Sequence, residues 1–471
     1  MGPRPVDASE YPTGLVVVAV LAVGLGVVVG LAPSRWDVLL GLAALVVAAT
    51  AVGAFWRDPV PRRPAKMRLR GPQVLALTSM YLVLASTLVF RQRSADELAE
   101  NPLDLAGQFR VTALVVAFSL ACLAMMIRRL STRGLPTAGR WYLGYVAVVP
   151  LALAEAVSVS LVLFRWVELL AFVTVWLALS LSFPGSVEVP LRHFGIFVGA
   201  VLATVGLGVL LSPDQALATV DSVIPFQVTG SQPQLAANDV GTLGAVVFAY
   251  GIGRARLSPG LMATGAAIVL AAQYRTGYVA ILAMVTVVLI IRRRGGARAA
   301  LVAMAVLLPV LIQTSTIADL WVRGDSASLA TLTGRTVWWG EAIEAASRSS
   351  VVGIGLSSGV RYEVLQAQFN GFTSTIHSTW VEAYVGTGLI GVTLIAFAFV
   401  TALATAWSRA SRGAEPLPLV LLTLLAVKSV TGSTIEIGGL LLMMFLLALT
   451  EAAARTEGGV PAFRPGSVVR G

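Results

Sequence analysis

Apolar runs alternate with short polar segments along most of the chain, from residue 13 to residue 452. Each run has about 20 residues, enough for a helix to cross a hydrocarbon core about 30 Å thick. Lipid offers no partners to backbone N–H and C=O groups, and the runs lack the alternation typical of barrel strands. We therefore predict membrane-spanning helices at 13–32, 37–56, 73–90, 111–127, 141–163, 166–183, 191–211, 237–253, 258–273, 276–291, 299–316, 380–404, 417–433 and 436–452.

Basic residues cluster in the polar segments of one predicted membrane face. The clusters lie at 57–70, 128–140, 254–256, 292–298 and 409–412. Lys and Arg favour cytoplasmic loops, and all five clusters fall inside if the N-terminus starts inside. The fold class predicted is an all-α polytopic membrane bundle of about 12–14 helices, within a single domain covering 1–471.

This topology places several connecting segments outside, and the longest is 317–379. A connection of this length is usually functional or disordered, so we take it as the candidate active-site loop. Residues 334–349 within it predict an amphipathic helix that suits the membrane interface. Its expected apolar face comprises Val337, Trp338, Ile343 and Ala346.

Composition agrees with a lipid-embedded fold. Of 471 residues, 57% are hydrophobic and 12% are charged, and the mean hydropathy is +0.83. The net charge of +10 lies in short clusters between apolar runs, which favours membrane orientation over nucleic-acid binding. Cys122 is the lone cysteine, so the chain has neither a disulfide framework nor a thiolate metal site. The first apolar run lacks a clear cleavage site and is expected to be a retained helix.

The two histidines fall at opposite predicted membrane faces. His193 lies at the inner end of a span, and His377 lies at the outer end of another. Histidine titrates near neutral pH and accepts a proton from a sugar hydroxyl, which makes His377 a candidate general base. The alternative is an interfacial histidine that merely caps a helix.

Several arginines lie on the predicted outer face. Arg275 occupies a turn between two spans, whereas Arg335 and Arg361 lie in the 317–379 loop. The planar guanidinium matches phosphate oxygens bidentately, so these residues are candidates for binding a lipid diphosphate. The alternative is an arginine that sets topology or forms a salt bridge.

Other polar residues have simpler interpretations. Asn238 and Asp239 begin a span and are expected to cap its helix. Glu155 and Lys428 fall inside apolar runs, where a charge is costly, so each is either functional or paired across helices. The outer segments lack a cluster with metal-ligand spacing, so no metal or other cofactor is expected.

Four segments of the chain follow one another in an order and spacing typical of a known family. Proline and asparagine open a span in QPQLAANDVGTLGAVV, and Arg275 follows in QYRTGYVAILA. Gly-Arg and a tryptophan occur in GRTVWWGEAI, followed by VVGIGLSSG. His377 begins HSTWVEAYVGTGLIG, which ends in a Gly-x-x-Gly. Over roughly 160 to 450, this set resembles the O-antigen ligase family, which includes lipid-linked polysaccharide polymerases.

The resemblance implies an inverting, metal-independent glycosyltransferase on a type C scaffold. Such an enzyme would transfer glycan from a polyprenyl-diphosphate donor to a hydroxyl of an acceptor glycan or glycolipid, at the outer face of the plasma membrane. His377 would be the base, while Arg275 and Arg335 would bind the diphosphate. Ser378 replaces the family's usual asparagine, and Tyr274 replaces a serine. The expected supporting residues are Ser378, Asn238, Trp338 and Glu382.

Alternative functions remain open from the sequence. A polymerase would use a second lipid-linked glycan as acceptor, and the sequence does not separate it from a ligase. A transporter or flippase of lipid-linked sugars would also use many helices and anion-binding arginines, although the internal repeats common in transporters are not evident. A structural scaffold would need no cluster of reactive side chains.

Overall fold

The computed structural model describes most of the helical bundle. The described residues are 69–89, 105–128, 135–219, 226–292, 335–366 and 376–454. Their helices are α1 (Gly71–Ala85), α2 (Leu105–Arg128), α3 (Thr137–Val148), α4 (Val159–Ser182), α5 (Glu188–Leu211), α6 (Pro213–Ala216), α7 (Ala237–Ile252), α8 (Pro259–Ala271), α9 (Arg275–Arg292), α10 (Arg335–Ala346), α11 (Thr379–Ser411), α12 (Leu417–Thr431) and α13 (Leu440–Ala453).

The predicted fold class is confirmed: the chain is an all-α, multi-pass membrane protein. Five helices in the described ranges, α2, α4, α5, α9 and α11, are long and apolar enough to cross a membrane. Shorter apolar helices, among them α12 and α13, pack between them. The predicted spans 13–32, 37–56 and 299–316 lie outside the described residues.

One predicted turn was misplaced. The predicted spans 141–163 and 166–183 placed a turn around Arg165, but α4 is continuous through it, and the turn lies at 155–158. The preceding helix tightens into a 3₁₀ segment at Val149–Ala154, which includes Pro150, and Ser158 then caps α4. Glu155 is therefore exposed in the turn and not inside a span, as its apolar neighbours had indicated.

The core is built around large aromatic side chains. Trp176 of α4 is fully buried and donates from Nε1 to Thr450 Oγ1 at 2.7 Å, which joins α4 to α13. Its ring packs directly on Gly139, where a Cβ atom would lie 2.6 Å from Cη2. His193 is also buried, and its Nδ1 lies 2.9 Å from the Tyr81 hydroxyl. That contact gives His193 a structural role in the bundle.

Two small antiparallel pairs precede α7. Strand β1 (Leu217–Thr219) pairs with β2 (Phe226–Val228), and β3 (Gly230–Ser231) pairs with β4 (Gln234–Leu235). Gln227 Nε2 donates to the Ala272 carbonyl at 2.8 Å, and Gln273 Nε2 donates to the Phe226 carbonyl at 2.7 Å. These reciprocal bonds fix β2 against the turn between α8 and α9.

Helix α10 packs with residues 350–366 and the first turns of α11 in a second core cluster. Ala346 is fully buried in this cluster, and Trp338 packs against it, whereas Val337 and Ile343 are 53% and 47% exposed. The structure thus divides the four residues expected on one apolar face. The placement of this helix in the membrane interface stays a prediction.

A glycine divides α11 near its N-terminal end. Gly388 has φ 64° and ψ −164°, so the helix is broken there, and residues 350–352 enter the break. The amides of Leu389 and Ile390 donate to the carbonyls of Ser350 and Val351 at 2.8 and 3.3 Å. The short helical segment between His377 and Gly388 therefore lies at an angle to the rest of α11.

We predict that Gly388→Ala destabilises the protein. A Cβ atom would overlap the Val351 carbonyl, and left-handed backbone is strained for L-residues, so the cost should reach at least about 2 kcal/mol. Thermal unfolding in detergent measures the change. Gly260→Ala is the control, because nothing lies within 4 Å of its added Cβ. Equal melting temperatures for the two variants would contradict this view of the break.

Candidate active site

The ends of three helices meet at Thr431, the last residue of α12. The Thr431 hydroxyl oxygen lies 2.9 Å from Thr276 Oγ1, in the first turn of α9. The Thr431 carbonyl accepts a 3.0 Å hydrogen bond from Arg335 Nη1. Arg335 begins α10, and Arg275 begins α9 beside Thr276. The structure therefore brings the segments of both predicted diphosphate-binding arginines to one point.

Tyr274 and Lys428 form a buried layer next to this point. Lys428 Nζ lies 5.0 Å from the centre of the Tyr274 ring, a cation–π distance. Tyr274 is 3% exposed and fills space against Gly241 and Gly277, where Cβ atoms would overlap it. Tyr274, which stands where the resemblance predicts a serine, thus contributes packing and a partner for the lysine.

The backbone of His377 is held by the side chain of Glu382. Glu382 Oε1 accepts hydrogen bonds from the amides of Ile376 at 2.9 Å and His377 at 3.2 Å. The same oxygen accepts a third bond, at 2.7 Å, from Ser433 Oγ. His377 has φ 58°, in the left-handed region that histidine enters more readily than most residues. Glu382 therefore fixes a backbone bend that no helix hydrogen bond supports.

Trp339 supports the same bend from the α10 side. Its Nε1 donates to the carbonyl of Ile376 at 2.8 Å, one residue before His377. Ile376 is fully buried in the second core cluster, while His377 is only partly buried. The histidine is thus anchored through its neighbour and keeps access to the site.

The loop 432–439, between α12 and α13, completes the frame around His377. Thr379 donates from its amide and its hydroxyl to the Gly432 carbonyl, at 3.2 and 3.0 Å. Its hydroxyl oxygen also lies 2.7 Å from Thr434 Oγ1. The start of α11 is therefore joined to this loop by several hydrogen bonds.

Two tyrosines of α3 donate hydrogen bonds to carbonyls of this loop. Tyr142 and Tyr145 are fully buried, and their hydroxyls donate to the carbonyls of Ile435 and Glu436 at 2.7 and 2.8 Å. Each such bond contributes about 1 kcal/mol and satisfies a buried carbonyl. The loop is consequently a rigid support for His377.

Two cations set the electrostatics of His377. Burial, followed by the positive charges of Arg335 and Lys428, lowers the pKa of His377 to about 4. Burial also lowers the pKa of the Arg335 guanidinium. At neutral pH the imidazole is uncharged, as a proton acceptor must be.

The remaining predicted residues take various positions. Arg361 lies on a π-helix at Gly359–Gln366, in the segment that packs against α10. Ser378 is buried and immediately precedes α11, where its carbonyl accepts from the Glu382 amide. Its hydroxyl does not cap the helix, and the backbone of His377 is held by Glu382 instead.

The capping role expected of Asn238 and Asp239 is wrong. Helix α7 begins at Ala237 with Ala236 as its N-cap, and Asn238 lies in the first turn, exposed. Its carbonyl accepts from Thr242 Oγ1 at 2.6 Å. The acidic Asp239 in the first turn instead complements the helix dipole.

Sequence reasoning missed the contributions of α12 and the loop after it. Thr431 and Ser433 carry no motif, and threonine and serine are common at helix ends. Lys428 gave a signal, because a lysine inside an apolar run is costly, but its partner Tyr274 is distant in sequence.

One comparison with known proteins is decisive for the middle of the chain. Residues 260–396 match the family model described as O-antigen ligase. This segment belongs to the O-antigen ligase family. No curated protein matches the chain significantly.

The O-antigen ligase segment carries Arg275, Arg335, His377 and Glu382, together with α9 and α10. Thr431 and Ser433 lie beyond it. The geometry of the site therefore depends on both the matched segment and α12, which the family model leaves out. The match supports a function of the O-antigen ligase or polymerase type in general terms.

Proposed function

We propose that the protein is an inverting, metal-independent glycosyltransferase. Its donor is a polyprenyl-diphosphate-linked glycan, and its acceptor is a hydroxyl of a glycan or glycolipid. The observation that carries the proposal is the placement of His377, which is held by Glu382 and lies in the field of Arg335 and Lys428. A neutral base beside fixed cations suits a reaction that deprotonates a hydroxyl and releases a diphosphate.

The reaction proceeds by one displacement. A ring nitrogen of His377 takes the proton of the acceptor hydroxyl as its oxygen attacks the anomeric carbon of the donor. The bond between that carbon and the diphosphate oxygen breaks, and the electron pair leaves with the diphosphate. Arg275 and Arg335 stabilise the leaving charge, a task that preorganised guanidinium groups perform well. Attack from the side opposite the leaving group inverts the anomeric carbon.

We assign the site to the outer face of the plasma membrane. Helix α11 starts at Thr379, beside His377, and the basic residues Arg409 and Arg412 lie at its other end. Lys and Arg clusters favour the cytoplasmic face, so His377 belongs on the outer face. In this arrangement 1–471 forms one membrane domain, with 317–379 as its long outer loop.

Assays with purified protein distinguish an enzyme from a transporter. The protein in detergent receives a synthetic polyprenyl-diphosphate sugar, a panel of hydroxyl acceptors and EDTA, and products are followed by mass spectrometry. We expect sugar on an acceptor and free polyprenyl diphosphate, in the presence of chelator. Movement of the donor between liposome leaflets without any acceptor product would instead establish a flippase. The acceptor that reacts separates ligase from polymerase.

The pKa of His377 predicts an unusual pH profile. The base must be neutral, so kcat/KM should fall only as the pH decreases towards about 4, and not near the ordinary histidine value of 6.5. Lys428→Met removes a repelling charge and should move this acid limb to higher pH. Arg412→Gln, at the other end of α11, is the control and should leave the limb in place. A limb near 6.5 in the unmodified protein would contradict the assigned environment.

A further inference from the structure

Two arginines share one buried carboxylate away from His377. Arg110 Nη2 of α2 lies 2.5 Å from Glu168 Oε1, and Arg165 Nη1 of α4 lies 2.7 Å from Glu168 Oε2. Glu168 is 1% exposed, whereas the side chains of Arg110 and Arg165 are 33% and 19% exposed. We call these three residues the arginine fork. Both guanidinium groups lie within 6 Å of the Phe164 ring, which limits their orientations.

The charges of the arginine fork do not cancel. Two guanidinium groups oppose one carboxylate, and within the described ranges Glu168 is the acidic residue that pairs with them. The Nε–H groups of both arginines also lack an acceptor among the described residues. Arginine is always protonated in proteins, so among the described residues one positive charge remains at the arginine fork.

The exposed surface around the arginine fork is apolar, as expected of a surface that faces lipid. Its sequence neighbours Phe109, Val111, Leu163 and Val167 are all exposed, by 39% to 57%. An uncompensated charge on such a surface is costly unless an anion from the membrane neutralises it. Phosphate is the anion that membrane lipids supply through their headgroups, and paired arginines match its oxygens.

The arginine fork lies towards the same end of the bundle as His377. Glu168 packs against Gly438, where a Cβ atom would lie 2.5 Å from Glu168 Cγ. Gly438 belongs to the loop 432–439, which also supplies Ser433 to Glu382. A lipid held at the arginine fork would therefore lie in the leaflet in which transfer is proposed.

We infer that Arg110 and Arg165 form a binding site for the phosphate of a membrane lipid, separate from the His377 site. The lipid chains would lie along the exposed apolar side chains of α2 and α4. Because binding is measured without turnover, the inference stands or falls independently of the proposed transfer. The competing explanation is an ion-pair network that only fastens α2 to α4.

Native mass spectrometry of the detergent-purified full chain measures this binding. The probes are phosphatidylglycerol, diacylglycerol of the same chains, and inorganic phosphate. We expect phosphatidylglycerol to bind and diacylglycerol not to compete with it. Arg110→Gln, which leaves the arginine fork neutral, should weaken phosphatidylglycerol binding about tenfold, since hydrogen bonds to charged groups are the strong ones. Arg140→Gln, an exposed arginine of α3, is the matched control and should change little.

A double variant separates binding from folding. Arg110→Gln with Glu168→Gln restores one net positive charge, so phosphatidylglycerol affinity should recover by several fold above that of Arg110→Gln alone. Melting temperatures of all variants report on the fastening of α2 to α4. Unchanged phosphatidylglycerol binding in Arg110→Gln, or equal affinities of the single and double variants, would overturn the inference. Competition by inorganic phosphate at equal concentration would overturn the assignment to a lipid.

Discussion

Replacing His377 with alanine is expected to reduce glycan transfer by about 10²- to 10⁴-fold, the usual contribution of a general base. Donor binding should persist, because the diphosphate is assigned to arginines and not to the histidine. The measurement is the initial rate of acceptor glycosylation, beside the Kd for a non-transferable diphosphate analogue. Loss of turnover with retained binding is the expected pattern.

Backbone strain needs separate control in that experiment. His377 has a positive φ, which alanine tolerates poorly, so His377→Asn is the companion variant, because asparagine enters the left-handed region readily and is no base at neutral pH. His193→Ala removes the other histidine, which lies in a structural contact with Tyr81. Transfer within a few fold of wild type in either His377 variant would exclude this residue as the base.

Arg335→Gln is expected to lower kcat by about 10²- to 10³-fold, as loss of a preorganised donor to a developing negative charge does. Arg335 begins α10, and its guanidinium has five N–H donors. Among the described residues, one of these donors forms a hydrogen bond, to the Thr431 carbonyl. The other donors are suited to the diphosphate oxygens. Arg335→Lys should recover only part of the rate, because lysine keeps the charge without the planar fork.

The assay for Arg335→Gln belongs at pH 8. Arg335 also lowers the pKa of His377, and at this pH the imidazole is neutral with or without that influence. Arg348→Gln is the control, because Arg348 is exposed just after α10. A loss confined to KM, with kcat unchanged, would assign Arg335 to ground-state binding and contradict its role in stabilising the leaving charge.

The sequence predicted the helices of the bundle well, because apolar runs of spanning length have few alternatives in lipid. It placed the start of α4 wrongly, because a charged residue in the apolar run indicated the break and the N-capping residue did not. The predicted spans broke at Arg165, yet Arg165 pairs with Glu168 three residues later inside α4, and Ser158 marks the true helix start. Two apolar runs that meet without a strong breaker are difficult to divide by hydropathy alone.

For the candidate site, motif order indicated that the segments of Arg275 and Arg335 belong together, but not what holds them. Arg335 and the segment of Arg275 do meet, but at Thr431, whose contacts are long-range and leave no local pattern. Glu382 was expected to support His377, and its carboxylate in fact binds the His377 amide. A charged residue in an apolar helix indicates that its charge must be compensated. The sequence does not predict which residue compensates it, because tertiary packing brings the partner close.

The break at Gly388 illustrates the same limit. A Gly-x-x-Gly pattern inside an apolar run is compatible with close helix packing as well as with a broken helix. The insertion of residues 350–352 decides between them, and that insertion comes from a segment more than thirty residues earlier. The periodicity of the sequence does not predict such a long-range contact.

The configuration of the new glycosidic bond tests the central claim most directly. Wild-type protein receives an α-linked polyprenyl-diphosphate sugar in the presence of EDTA, and the anomeric coupling constant of the purified product is measured by NMR. Direct displacement by a hydroxyl that His377 deprotonates predicts a β-linked product. An α-linked product would show net retention and contradict the single displacement proposed for this site.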